Sequence, residues 1–135
     1  MSLENSYLPN NLRGSVSEAE ILLLHQHVCH ALSDPTRILL LYILRDGPRS
    51  VSELTERLKL PQSTISRHLR VLRDRALVTV EKRGTSNLYT ITDTRVTDAL
   101  DLLRQVLNQQ LSEQAKLTAA IQCSYPPDEV FSDKE

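Results

Sequence analysis

Glycine and cysteine are scarce in this chain, with three and two residues respectively, and long apolar runs are missing. Three glycines leave no Gly-rich loop of the kind that cradles phosphates. No Ser/His/Asp or Cys/His arrangement offers a clear nucleophile, so the residues point away from an enzyme. Two cysteines, Cys29 and Cys123, make neither a disulfide framework nor a four-thiolate zinc site within one chain, and they suit a reducing compartment. The apolar run LLLYIL falls far short of the roughly 20 residues that cross a bilayer. The opening MSLENSYLPNN has no basic flank followed by an apolar stretch, as a secretory signal would need. A soluble, cytoplasmic protein with no membrane partner is expected.

The 135 residues, 40% of them hydrophobic, allow one modest core. The formal net charge of -1 hides a segregation. Residues 45 to 83 carry 10 Lys/Arg against 5 Asp/Glu, and the rest carry 6 against 12. A basic middle between acidic ends marks the middle as the place to look for a polyanionic partner, although a mixed solvated surface can show the same bias.

Residues 1–14 and 123–135 have no periodicity and are expected to be flexible, the second segment acidic, on either side of a domain at 15–122. Ser15 or Ser17 can cap a first helix with Ile21, Leu24, Val28 and Ala31 on one stripe. Asp34 and Pro35 open a second helix that Gly47 and Pro48 stop. Ser50 or Ser52 starts a short third helix with Leu54 and Leu58 inward. A fourth runs from about Gln62 to Arg75, with Ile65, Leu69 and Leu72 as its buried stripe. LVTVEK and NLYTIT then read as two strands around Arg83-Gly84-Thr85-Ser86, a hairpin. A long last helix after Asp93 gathers Val96, Leu100, Leu103, Leu107, Leu111, Leu117 and Ile121 on one broad face.

Two short helices joined by a tight turn, the second with small polar and basic residues on its outer face, fit a helix-turn-helix; the hairpin behind it makes a wing. A helix entering the major groove needs short side chains at its leading end, hydrogen-bonding groups for base edges, and cations beside the flanking phosphates. Gln62, Ser63, Thr64, Ser66 and Arg67 supply the first two. Arg70, Arg73 and the wing's Lys82 and Arg83 supply the third. His68 belongs to the same helix, where it either holds the helix in place or reaches a phosphate. The fold class is therefore mainly α with a small β-hairpin wing, a winged helix-turn-helix. The last helix carries more apolar surface than a small core with a wing can cover, so a second copy is its natural partner. Two reading helices one duplex turn apart would bind an inverted repeat in double-stranded operator DNA.

The runs ALSDPTRILLLYIL (31–44) and SVSELTERLKLPQSTISRHLRVLRDRALV (50–78), with a wing ending NLYTIT (87–92), resemble the ArsR/SmtB family of bacterial regulators. Ser-Asp-Pro-Thr-Arg and Gln-Ser-Thr-Ile-Ser-Arg-His-Leu-Arg-Val-Leu are the most specific parts. Pro61 is a departure, standing where relatives often place a Ser cap. The resemblance implies a homodimer joined through its first and last helices, here by Leu24, Val28, Val96, Leu100, Leu103, Leu107 and Leu111. It also implies a sequence-specific transcriptional repressor released from its operator by an inducer. The alternatives are a winged-helix regulator without an inducer and a protein-interaction module.

Metal-sensing relatives commonly place ligands at Cys-x-Cys in the third helix, or at Asp-x-His and His-x-x-Glu on the last. Here Val51-Ser52-Glu53-Leu54 lacks cysteine, and Asp93 is joined only by Arg95, Val106 and Gln109, so both sites are expected to be missing. What remains is His25, Cys29 and His30 of the first helix with Cys123 of the last. As a set these suit a metal or a metalloid such as arsenite or antimonite, the ligands pooled across a dimer. The two cysteines alone suit a thiol switch, and Cys29 also reads as a small buried hydrophobe.

Overall fold

The computed structural model describes residues 16–124, with the side chains of residues 123 and 124 left out of the description. Of the segments expected to be flexible, 1–14 and 125–135 lie outside the described residues, whereas residues 123 and 124, expected in the second, belong to the last helix. Contacts divide the chain into two units that meet at Thr97 and Asp98.

In the first unit, Ser17 caps helix α1 (Glu18–Leu24) by accepting the Glu20 N–H at 3.1 Å. A π-helical turn (His25–Cys29) follows directly, in which the His30 N–H reaches back to the His25 carbonyl. That wider turn adds a residue to the helical period, so the apolar stripe expected along this helix splits. Ile21 and Leu24 face solvent, while Val28 packs on the core and Ala31 is buried.

Helix α2 (Pro35–Arg45) begins with Pro35 in its first turn and Asp34 as cap, whose carboxylate accepts the Thr36 N–H at 2.8 Å. Gly47, at φ 141°, turns the chain out of the helix through a region that favours glycine. Strand β1 (Arg49–Ser50) leads into α3 (Val51–Leu58), and α4 (Gln62–Asp74) follows. Strands β2 (Val78–Arg83) and β3 (Ser86–Ile91) pair antiparallel from Val78 opposite Ile91 to Arg83 opposite Ser86. The connection is therefore only Gly84-Thr85, with Gly84 at φ 60°. A positive φ at the first turn position alone is what a type II′ hairpin turn requires. Strand β1 adds to the other side of β3, giving the order β1-β3-β2. The core joins Ala31, Leu40, Leu41, Leu44, Leu54, Ile65, Leu69, Leu72, Leu77 and Val78, one apolar set drawn from the helices, β2 and the segments beside them.

Helix α4 closes on Ala76, a non-glycine residue at φ 59°, with the Leu77 N–H donating to the Leu72 carbonyl at 2.9 Å. This is the place in a helix C-terminus where glycine avoids a Cβ clash costing about 1 kcal/mol. Part of that gain is returned through the freer unfolded chain. Ala76→Gly is therefore expected to raise the unfolding free energy by about 0.5 kcal/mol. Urea denaturation measures the change, and a loss of stability would mean that the Ala76 methyl contributes more by contact than its backbone costs.

The second unit continues α5 (Arg95–Ser124) from Asp98 onward. Leu100 is buried, while Leu102, Leu103, Val106, Leu107, Leu111, Leu117 and Ile121 are all at least half exposed. No helix among the described residues is long and apolar enough to cross a membrane.

Candidate nucleic-acid interface

Helix α3 is started by a capping box. The Ser50 hydroxyl accepts the Glu53 N–H at 3.3 Å, and the Glu53 carboxylate accepts the Ser50 N–H at 3.4 Å. The Ser50 N–H, and after it the Arg49 guanidinium, hold the Glu53 carboxyl below its ordinary range. Lys59, in the left-handed region at φ 54°, ends α3 and swings the chain through Leu60 and Pro61 into α4. Pro61 caps α4 with no side-chain hydrogen bond, which leaves the leading N–H groups of this helix without a cap side chain among the described residues. They suit an anion such as a phosphate.

The two faces of α4 are cleanly separated. Ile65, Leu69 and Leu72 are buried, whereas Gln62, Ser63, Ser66, Arg67, Arg70 and Arg73 are exposed. Spacings of three and four residues place these six on one continuous strip, which Asp74 joins at its far end. No ion pair among the described residues occupies Arg67, Arg70, Arg73 or Lys82. Lys82 and Arg83 are exposed beside the Gly84-Thr85 turn, and the Arg83 Nε lies 3.9 Å from the Glu81 carboxylate.

Two of the expected contact residues stand apart from this strip. Thr64 is half-buried, and His68 lies on the side of α4 that faces α2, its side chain only 12% exposed. The His68 Nδ1 is 3.3 Å from Arg37 Nη1, and its Nε2 is 3.9 Å from the Asp34 carboxylate. Of the two roles open to His68, holding the helix is the one this placement favours. Burial pushes the Asp34 carboxyl up. The Thr36 N–H, the positive charge of His68 when protonated, the Arg37 N–H and the Arg37 guanidinium outweigh it, and the group is held below its ordinary range. Arg37 was legible only as part of a family motif. Its position three, four and seven residues before Leu40, Leu41 and Leu44 puts a cation on the inward face of α2, which is the pattern of a residue with an internal task.

Around the π-helical turn, His25, Cys29 and His30 are exposed, and Cys29 is a free thiol rather than a buried hydrophobe. No group of three or more His, Cys, Asp or Glu residues comes together to hold a metal ion among the described residues. The Cys123 side chain lies outside that description. Asp93 is engaged elsewhere: its carboxylate receives Arg95 Nη2 at 2.6 Å and the Arg95 N–H at 2.9 Å. The Arg95 side chain, then its N–H, hold that carboxyl down to about 2. Within one chain the described residues therefore do not fit a bound metal.

The residues expected at a dimer interface divide in two. Leu24, Leu103, Leu107 and Leu111 are exposed, whereas Val28 and Val96 pack against the core of the first unit and Leu100 is buried. Leu102, Val106, Leu117 and Ile121 enlarge the exposed apolar face of α5 beyond the expected set.

Residues 34–80 match the family described as "Bacterial regulatory protein, arsR family". The chain is 42% identical over 71 residues to the HTH-type transcriptional regulator NmtR of Mycobacterium tuberculosis, covering 53% of this chain and 59% of NmtR. It is 34% identical over 85 residues to the arsenical resistance operon repressor of Bacillus subtilis, covering 62% of this chain and 81% of that one. In structure it is similar to the homodimeric winged helix-turn-helix DNA-binding domain Mb0332 of Mycobacterium bovis. That match has a TM-score of 0.60 at 28% identity and covers 71% of this chain and 91% of that domain.

Proposed function

Because this chain belongs to the arsR family of bacterial regulatory proteins, we propose that it binds double-stranded operator DNA as a homodimer and represses transcription from that site. The observation that carries the proposal is the strip of α4. Short polar groups lie at its leading end and three arginines with no ion-pair partner among the described residues stand behind them, over an apolar face sunk in the core. Such a helix is held rigidly from below and offers base edges and phosphates only one side. Lys82 and Arg83 of the hairpin add cations for the neighbouring backbone. Two copies related by a twofold axis would read an inverted repeat with half-sites one duplex turn apart.

Arg67→Ala and Arg70→Ala are each expected to weaken operator binding by about 1–3 kcal/mol, roughly fivefold to a hundredfold, with the fold intact because both side chains are exposed. Titration of a labelled upstream fragment against a random duplex at fixed salt measures this. Each variant should also flatten the dependence of affinity on salt if the lost contact is to a phosphate. Unchanged affinity in both variants would move the reading face off this strip. A wild-type chain with no preference for any promoter fragment would sink the proposal as a whole.

Release by an inducer is a separate part of the proposal, and its support is the resemblance to family members together with the exposed His25, Cys29 and His30. Ligands completed by Cys123 of a second subunit are the arrangement that would make it work. Titration of the bound complex with Zn(II), Cd(II), As(III), Sb(III) and an oxidant, repeated on Cys29→Ser and Cys123→Ser, decides it. If none of them frees the DNA, the repressor has no inducer of this kind.

A further inference from the structure

Arg37 makes three contacts in three directions. Its Nε donates to the Ala31 carbonyl at 2.7 Å, its Nη2 donates to the His30 carbonyl at 3.2 Å, and its Nη1 lies 3.3 Å from His68 Nδ1. A guanidinium has donors and no acceptor, so the last contact requires a lone pair on Nδ1 and puts the ring proton of a neutral His68 on Nε2. That nitrogen faces the Asp34 carboxylate, which also caps α2. One planar cation thus ties the end of the first helix, just past the π-helical turn, to the inner side of the DNA-reading helix. A lysine has a single ammonium and cannot span three separated acceptors with the fork of a guanidinium.

We propose that Arg37 and His68 form a clamp that sets how α4 is seated, so that His68 serves operator recognition as a positioning residue without touching DNA. This rests on the operator-binding reading above. His68 immediately follows Arg67 and stands two residues before Arg70, so a small roll of α4 about its axis moves both arginines together relative to the duplex. The clamp also gives the recognition helix an input. The carbonyls of His30 and Ala31 follow directly on the π-helical turn, and any displacement of that turn pulls on Arg37 and through it on His68.

The test uses the full chain in five forms: wild type, Arg37→Gln, His68→Leu, the double variant, and His68→Asn, whose side-chain oxygen takes the place of Nδ1 as acceptor for Arg37. Affinity is read by fluorescence anisotropy on an operator fragment against random duplex, over a range of salt. Thermal unfolding of each form and the imidazole nitrogen NMR spectrum of the free wild-type protein complete the set. Arg37→Gln and His68→Leu are each expected to lose about tenfold in operator preference. The double variant should be no worse than either single one, and His68→Asn should recover most of the loss. The salt dependence should not change, because no phosphate contact is removed. The spectrum should show His68 protonated on Nε2 and bare on Nδ1.

Multiplying effects in the double variant, a flatter salt dependence, or His68→Asn behaving as His68→Leu does would each overturn the clamp. A spectrum with the proton on Nδ1 overturns it too, whatever the DNA result. If Arg37→Gln does not fold, the His68 variants and the spectrum still decide. If instead the wild-type chain prefers no promoter fragment, the operator reading falls. The spectrum and the coupling between Arg37 and His68 in unfolding then judge the clamp alone.

Discussion

Leu69→Ala is expected to lower the unfolding free energy by about 2–5 kcal/mol, a large share of the 5–15 kcal/mol by which a domain of this kind is stable. Leu69 is fully buried in the middle of α4, at the centre of its inward stripe between Ile65 and Leu72. Removing three carbons there forfeits their transfer from water and leaves a cavity that neighbours from several elements cannot all close. Leu39→Ala is the control. Its side chain stands half exposed on α2, and its truncation should cost no more than about 0.5 kcal/mol. Urea denaturation with a common slope measures both, since an unchanged slope means that the same surface is exposed on unfolding. A loss below about 1 kcal/mol at Leu69 would mean that the site collapses around the deletion and that the inner face of α4 does not anchor that helix. Partial loosening has a second reading, in DNA: His68 and Arg70 flank Leu69, so operator preference should fall in the variant even at a temperature where it remains folded.

Much of this arrangement is legible in the residues because local chemistry and the global fold agree there. Asp34 before Pro35 caps the second helix where the residues place it, and of the two caps open to the third helix, Ser50 and Ser52, it is Ser50 that closes a capping box with Glu53. The four-and-three spacing of Ile65, Leu69 and Leu72 separates the buried face of α4 from the polar one before any tertiary contact is known. Strand β1 is not expected from the sequence, and of its residues only Ser50 has a place there, as one of two possible caps. Its two residues, Arg49 and Ser50, are too few for an alternating pattern, and only pairing with Tyr89 and Leu88 makes them a strand. The π-helical turn was equally hidden, because a single added residue leaves the composition helical and changes only which side chains share a face. The same limit applies to His68. It is a polar residue in a polar run, and its inward placement shows only in a 3.3 Å contact with a side chain thirty-one residues away. The resemblance places the interface on the first and last helices, and within those helices the apolar stripe that takes in Val28 and Val96 does not tell packing within the chain from packing between copies.

Leu103→Glu combined with Leu107→Glu is expected to turn the proposed homodimer into a chain of 15.3 kDa that stays folded and loses at least about a hundredfold in operator affinity. Leu103 is 63% exposed and Leu107 51% exposed on successive turns of α5, and Leu102, Val106, Leu111, Leu117 and Ile121 extend the apolar surface around them. So continuous a face is rarely left in water. A twofold contact places the same patch from both copies together, so the two substitutions put four carboxylates into one apolar seam. Each must shed its hydration without a partner cation, a penalty of several kcal/mol per buried ion. Because these side chains are exposed in the single chain, the same charges cost the fold little. The first unit has its own core in Leu40, Leu54, Leu69 and their neighbours, and its thermal transition should persist. Loss of one half-site contact per complex removes a whole set of arginine and lysine contacts, so affinity and its salt dependence should fall together. Light scattering after size exclusion gives the mass, and anisotropy on the same samples gives the affinity. A wild-type mass of one chain, or a doubly substituted protein that still elutes as two, would mean that these leucines are covered by something other than a second copy of α5.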